Sequence, residues 1–238
     1  MYWNRGIFAD RSRTKARYAH YDAPPTTGTE RLTVSDYLDH CAEANAGRYA
    51  DGKSRYLQQC LAARPRAGAA VEPDARVPPR LRVAPDAVLL KAFGESAGYG
   101  DHVKTKLYIG HRGALSRCHC DGYDGLVCQL DGEKRVVLFD PLQARHLCVF
   151  PQRHALETRP RVHVDAPDVL KFPRYADAAG CSTVLRPGDC LYLPHHWWHH
   201  IECCSDVTVS ANLWMSTRPR GNQTMHWARS VWSGRVPE

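Results

Sequence analysis

Alternation between apolar and polar positions dominates the second half of the chain. The runs Lys-Leu-Tyr-Ile-Gly, Gly-Leu-Val-Cys-Gln-Leu, Lys-Arg-Val-Val-Leu-Phe, Cys-Leu-Tyr-Leu-Pro and Asp-Val-Thr-Val-Ser-Ala-Asn-Leu-Trp follow one another beyond Leu89. Short strands separated by turn residues predict a mainly β barrel or sandwich. Leu126 to Leu130, then Asp131-Gly132, then Lys134 to Phe139 reads as a two-residue hairpin, with Asp-Gly supplying the positive φ angles of the turn. Pro187-Gly188-Asp189 predicts a second turn leading into a strand.

The first half is different. Residues 1–30 are basic, lack sustained periodicity and read as an extension. From Thr33 the pattern becomes helical: Ser35 can cap a helix carrying Tyr37, Leu38, Cys41 and Ala42, and a second helical piece is expected through Tyr56, Leu57 and Leu61. Residues 62–81 are rich in Ala, Arg and Pro and predict an irregular connection. The expected organisation is therefore 1–30 extension, 31–90 helical and irregular flank, 91–216 barrel and 217–238 tail. In the tail, Met225, Ala228, Val231 and Trp232 form the stripe of a short C-terminal helix that docks on the barrel or on a second subunit as a homodimer.

A length of 238 residues accommodates one well-buried domain. The apolar fraction of 43% and charged fraction of 24% exclude a disordered or membrane class. No segment reaches a membrane-spanning or signal-peptide length, so an intracellular, cytoplasmic or nuclear protein is expected. The ten cysteines are then read as mostly reduced, buried thiols. A formal charge of +7, with Arg5, Arg11, Arg13, Lys15 and Arg17 clustered early, keeps RNA open as a partner beside protein.

The candidate chemistry begins at Arg117-Cys118-His119-Cys120-Asp121. On an extended strand His119 and Asp121 share one face, and Cys118 and Cys120 the other. Much further along, Trp197, His199 and Ile201 form one alternating face, with Trp198, His200 and Glu202 on the face expected to meet solvent. His199 is thus the expected third ligand, while His195, His196 and His200 read as hydrogen-bonded core residues. Two histidines and one carboxylate leave three positions open on Fe(II), as a bidentate co-substrate and O₂ require. Cys118, Cys120, Cys203 and Cys204 lack the spacers of a structural zinc site. Lys134 shares a face with Val136 and Leu138, and a lysine there needs an anion such as the C5 carboxylate of 2-oxoglutarate. The polar row Thr208, Ser210, Asn212 and Trp214 suits a pocket wall.

These residues, with Gln129 to Arg135, Leu138-Phe139-Asp140-Pro141, Ala166-Pro167-Asp168 and Phe172-Pro173, resemble the Jumonji-C hydroxylases of the cupin superfamily, in particular the small asparaginyl and lysyl hydroxylases of the factor-inhibiting-HIF type. The resemblance runs from about Leu107 to Trp214 and implies a double-stranded β-helix, or jelly roll. It implies His119, Asp121 and His199 as the iron ligands. It also implies that Lys134 pairs with the distal carboxylate of 2-oxoglutarate, that Ser116 bonds to it, and that Asn212 and Tyr108 line the same pocket. The implied reaction is oxidative decarboxylation of 2-oxoglutarate by O₂ to succinate and CO₂, coupled to hydroxylation of a protein side chain. A tRNA-modifying hydroxylase of the same chemistry, and a metal-binding cupin without turnover, are the alternatives. The sequence departs from the family at Gly125, where Asn is common, and at Cys120, where a large residue is usual. The turn before Val207 is shorter than in some relatives, and no tyrosine upstream of the barrel stands out as a pocket residue.

Overall fold

The computed structural model describes residues 2–4, 29–48, 55–63, 96, 98–151, 154 and 156–216. Eleven strands and one α-helix are found among them. In chain order these are β1 (Tyr2–Asn4), β2 (Thr29–Arg31), α1 (Val34–Asn45), β3 (Tyr56–Ala63), β4 (His102–Gly110) and β5 (Leu115–Cys120). There follow β6 (Asp124–Asp131), β7 (Lys134–Phe139), β8 (Gly180–Leu185), β9 (Cys190–Leu193), β10 (Trp198–Cys203) and β11 (Thr208–Met215). The larger sheet runs β2-β1-β3-β4-β11-β6-β9 and the smaller β5-β10-β7-β8, with every pairing antiparallel. This is the mainly β jelly roll that the strand spacing and the resemblance predicted.

Helix α1 is capped two residues earlier than the serine suggested. Thr33 is the cap: its hydroxyl accepts from the Asp36 amide, and the Asp36 carboxylate accepts from the Thr33 amide. The expected second helix is instead β3. Tyr56 and Leu57 are both buried, but on opposite faces: Tyr56 packs with Tyr108 and Trp214 inside the sandwich, while Leu57 packs with Tyr37 and Cys41 of α1. A strand covered on both sides shows no period-2 alternation, so its apolar pairs imitate a helix.

The Asp131-Gly132 hairpin is also corrected. Strand β6 pairs with β11 and β9, and β7 pairs with β10 and β8, so the turn carries the chain from one sheet to the other. Gly132 does take a positive φ of 66°, and a Cβ there would lie 2.4 Å from the Val207 carbonyl oxygen. The buried Gln129 side chain ties the corner by donating to the carbonyls of Asp131 and Gly132 at 2.7 and 2.9 Å. The second turn is as expected: Gly188 has φ 96° and the Asp189 amide donates to Arg186 at 2.9 Å.

The face of β10 bearing Trp198, His200 and Glu202 does not meet solvent. The excursion between β7 and β8 folds over it, and Trp198 is buried with Phe139, Ala144 and Leu147 against Val149, Val164 and Tyr175. His200 Nε2 lies 2.7 Å from Asp165 Oδ2 of that excursion. Arg135 joins the same cluster, 2.6 Å from Asp165 and 3.0 Å from Glu202. The nine described cysteines are all free, as expected, but only Cys41, Cys118, Cys120 and Cys203 are buried, while Cys181 and Cys190 are exposed. Among the described residues no helix is long and apolar enough to cross a membrane. The C-terminal stripe from Met225 to Trp232, and most of the basic arm, lie outside the described residues.

Candidate metal centre and co-substrate pocket

Register assembles the centre. Strands β5 and β10 pair with His119 directly opposite His199, and their ring centroids lie 4.2 Å apart on the inner face of the smaller sheet. Asp121 follows immediately after β5, and one donor atom from each of the three residues lies within 4.8 Å of the others. His119 Nε2 is 3.9 Å from Asp121 Oδ1, and His199 Nε2 is 4.0 Å from Asp121 Oδ2. Donors at about 2.1 Å from one shared cation lie about 3 Å apart at right angles and about 4 Å apart when opposed. The trio therefore suits a first-row divalent ion after a small closing movement of its side chains.

The imidazoles are set for this role. His119 Nδ1 is 2.8 Å from the Arg117 carbonyl and His199 Nδ1 is 3.0 Å from the Trp197 carbonyl, so each ring donates through Nδ1 and keeps the Nε2 lone pair for a ligand. Burial, reinforced by neighbouring His199, holds the His119 pKa well below the usual imidazole range, which favours the neutral, metal-binding form. Burial opposes ionisation of Asp121. Its interactions with neighbouring His119 and His199 and the indole N–H of Trp214 outweigh it and keep the carboxyl below its ordinary value. Trp214 reaches over from β11 in the other sheet and donates to Asp121 Oδ2 at 2.9 Å. The His196 amide donates to the Asp121 carbonyl at 2.7 Å, which ties the turn before β10 to the same residue. His195 packs into that turn on Asp124, which also accepts from Tyr192 at 2.8 Å.

A small cleft opens between the sheets beside the trio. Ser116, Tyr108, Asn212 and Lys134 all line it together with His119, Asp121 and His199. Lys134 is 1% exposed, on the inner face with Val136 and Leu138. Its ammonium donates to Ser210 Oγ at 2.6 Å and to Tyr56 OH at 3.1 Å. Among the described residues no carboxylate lies within ion-pair distance of it. Burial pulls its pKa down to about 8.

Two contributors were missed in the sequence, and the role of a third was only partly read. Tyr56 is the upstream pocket tyrosine, concealed because β3 reads as helix. Tyr123 lines the cleft from the loop after Asp121, and its only signal was that proximity. Trp214 was placed on the pocket face, but its bond to Asp121 joins two sheets and has no trace in local sequence. At Gly125 the nearest atom to an added Cβ is Leu193 Cβ at 3.5 Å, so the glycine leaves room that a small side chain could occupy.

The fold and this arrangement define a Jumonji-C-type cupin, and the family profile described as "Cupin-like domain" matches residues 13–221: the chain belongs to that family. It is similar to the "HSPB1-associated protein 1 homolog" of Danio rerio, 41% identical over 115 residues, 47% of this chain and 25% of that protein. It is also similar to the "Jumonji C domain-containing protein 5" of Drosophila melanogaster, 32% identical over 112 residues, 47% of this chain and 27% of that protein. The chain thus spans about a quarter of the length of the curated relatives it matches. Among solved structures, Escherichia coli ycfD aligns over 92% of this chain and 47% of its own, with 16% identity and a TM-score of 0.45.

Proposed function

We propose that this chain is an Fe(II)- and 2-oxoglutarate-dependent dioxygenase that hydroxylates a protein side chain, with His119, Asp121 and His199 as the metal ligands. The observation that carries the reading is the pairing of two features in one cleft: a His-Asp-His trio at one place and, at another, a buried lysine with no carboxylate partner among the described residues. A metal trio alone occurs in many cupin sites, and a buried lysine alone is commonly structural. Together they suit a keto acid that chelates through one end and carries a carboxylate at the other.

Iron bound here would activate O₂ for decarboxylation of the keto acid and oxidation of a substrate carbon. The chain's own residues bind and orient. His119 and His199 present their Nε2 atoms, and the Trp214 N–H fixes one oxygen of Asp121 so that the other remains free to ligate. Lys134 offers its ammonium to the distal carboxylate, with Tyr56 and Ser210 holding the amine in place. Ser116, Asn212 and Tyr108 supply further polar atoms to the cleft wall. The apolar lining at Val127, Leu193 and Ile201 keeps water from the reacting atoms.

The test is turnover by the purified chain with Fe(II), ascorbate and 2-oxoglutarate. Succinate is expected, with His119→Ala and Asp121→Ala both silent. Activity undiminished in either variant overturns the assignment. Peptide against tRNA, each added to the same assay, decides the substrate class: stimulation by peptide is expected, and stimulation by tRNA alone replaces the protein reading.

A further inference from the structure

Cys128 and Cys190 face one another across β6 and β9. The register pairs them directly, and their sulfurs are 3.0 Å apart. Both lie on the outer surface of the larger sheet: Val127 and Gln129 on either side of Cys128 are buried, Cys128 is half-buried and Cys190 is exposed. The Gln129 amide donates to the Asp189 carbonyl at 2.9 Å. By the alternation of an antiparallel ladder, the next pair inward is then the narrow one, with Cα atoms about 4.5 Å apart. That separation lies at the short end of the disulfide range, where the bond forms under strain and is readily reduced. Among the described cysteines no other pair shares a thiol–thiol hydrogen bond.

The position has a structural consequence. Among the described residues, strand β9 is the edge of the larger sheet and pairs with β6 alone. Three register pairs beyond the cysteines, Gly125 opposes Leu193, and both line the cleft. After Leu193 the chain turns through Pro194 to His196 and enters β10, which carries His199. A covalent bond between Cys128 and Cys190 therefore fastens the strand that leads into the metal trio.

We propose that Cys128 and Cys190 are a reversible redox pair, oxidised by a peroxide to a cross-strand disulfide that locks the edge of the cleft wall. The exposed Cys190 sulfur attacks the peroxide oxygen, giving a sulfenic acid and releasing water. The Cys128 sulfur then attacks the Cys190 sulfur, forming the S–S bond and releasing a second water, with both thiol protons ending in water. The two sulfurs lose two electrons and the peroxide gains them. Cys190 is exposed and Cys128 half-buried, so the first attack on a dissolved peroxide falls to Cys190, while burial raises the Cys128 pKa. A dithiol reductant reverses the reaction by thiol–disulfide exchange.

The experiment treats the full chain with hydrogen peroxide in small excess, traps remaining thiols with iodoacetamide and maps the non-reduced peptides. Expected are loss of two hydrogen atoms from the intact mass, one linked peptide pair carrying Cys128 and Cys190, and recovery of both thiols with dithiothreitol. The oxidised protein should melt higher, by on the order of 5 °C. Cys190→Ser, at an exposed position, should remove the link and the shift while leaving the reduced melt unchanged, and Cys128→Ser should also remove the link. Oxygen adducts on Cys190 without a link, a link to any other cysteine, a disulfide between two chains, or unreacted thiols at both positions each overturn the proposal. None of these readouts depends on metal, keto acid or turnover, so they stand apart from the proposed activity.

Discussion

Lys134 is where the physical chemistry of one residue makes the most specific demand. Its amine is buried against Tyr56 and Ser210, and the fall of its pKa from 10.5 to about 8 corresponds to a burial cost on the order of 3 kcal/mol. Between those two values the unfolded chain holds a proton that the folded chain has released, so stability rises as pH climbs from about 8 towards 10.5. Lys134→Met removes both the charge and the dependence. It should melt higher than the parent at neutral pH, with the gap closing as pH rises through that window, as followed by urea unfolding. The same variant should weaken 2-oxoglutarate binding on the order of a hundredfold, because the distal carboxylate loses its cation. Above a pH of about 8 the parent should also take up a proton on binding the co-substrate, since the incoming anion restores the charged amine. Calorimetry in buffers of differing ionisation heat reads that uptake directly. Trp214 makes a smaller demand of the same kind. Trp214→Phe keeps the ring stacked in the core but deletes the N–H that fixes Asp121, so metal affinity should drop about tenfold with little change in the melt.

At the scale of elements, what could be read from the sequence divides by how many faces of a strand are covered. Strands β4, β6, β7, β9 and β11 were legible, and so were the inward faces of β5, β10 and β7 that carry His119, His199 and Lys134. Strand β3 was not, because α1 covers one side and the cleft the other, and with it went Tyr56. The face of Trp198 and His200 was misjudged because Glu202 reads as a solvent residue. Its carboxylate is instead neutralised by Arg135 from the neighbouring strand, a contact that local periodicity cannot carry. The Asp131-Gly132 turn was legible as a turn but not as a passage between sheets, since backbone angles look the same in both. The passage does impose a stronger requirement on the glycine than a hairpin would. At φ 66° with the Val207 carbonyl 2.4 Å from an added Cβ, Gly132→Ala should cost about 1–3 kcal/mol, a drop visible in the denaturant midpoint.

Across the whole molecule, the two sheets divide the work. The smaller sheet supplies His119, His199 and Lys134 from three adjacent strands, while the larger supplies Tyr56, Tyr108, Asn212 and Trp214 from the opposite wall. The ligands can hold their positions only if the smaller sheet is rigid, and its outer face would be unprotected without the excursion between β7 and β8. Trp198 is the centre of that contact: it neighbours His199 in sequence, opposes Cys120 in register and fills the space between Phe139, Ala144 and Leu147. Its indole N–H meets the Pro141 carbonyl at 3.5 Å, and the Arg135, Asp165 and His200 cluster fastens the excursion alongside. Trp198→Ala should therefore cost about 3–5 kcal/mol of stability. The loss should also reach the metal trio, because removing the indole loosens the strand carrying His199 without touching any ligand. Metal titration of that variant at a temperature where it stays folded should give weaker binding than the parent. Equal affinity would mean that β5 and β7 alone hold β10 in register, and that the excursion acts only as a cover.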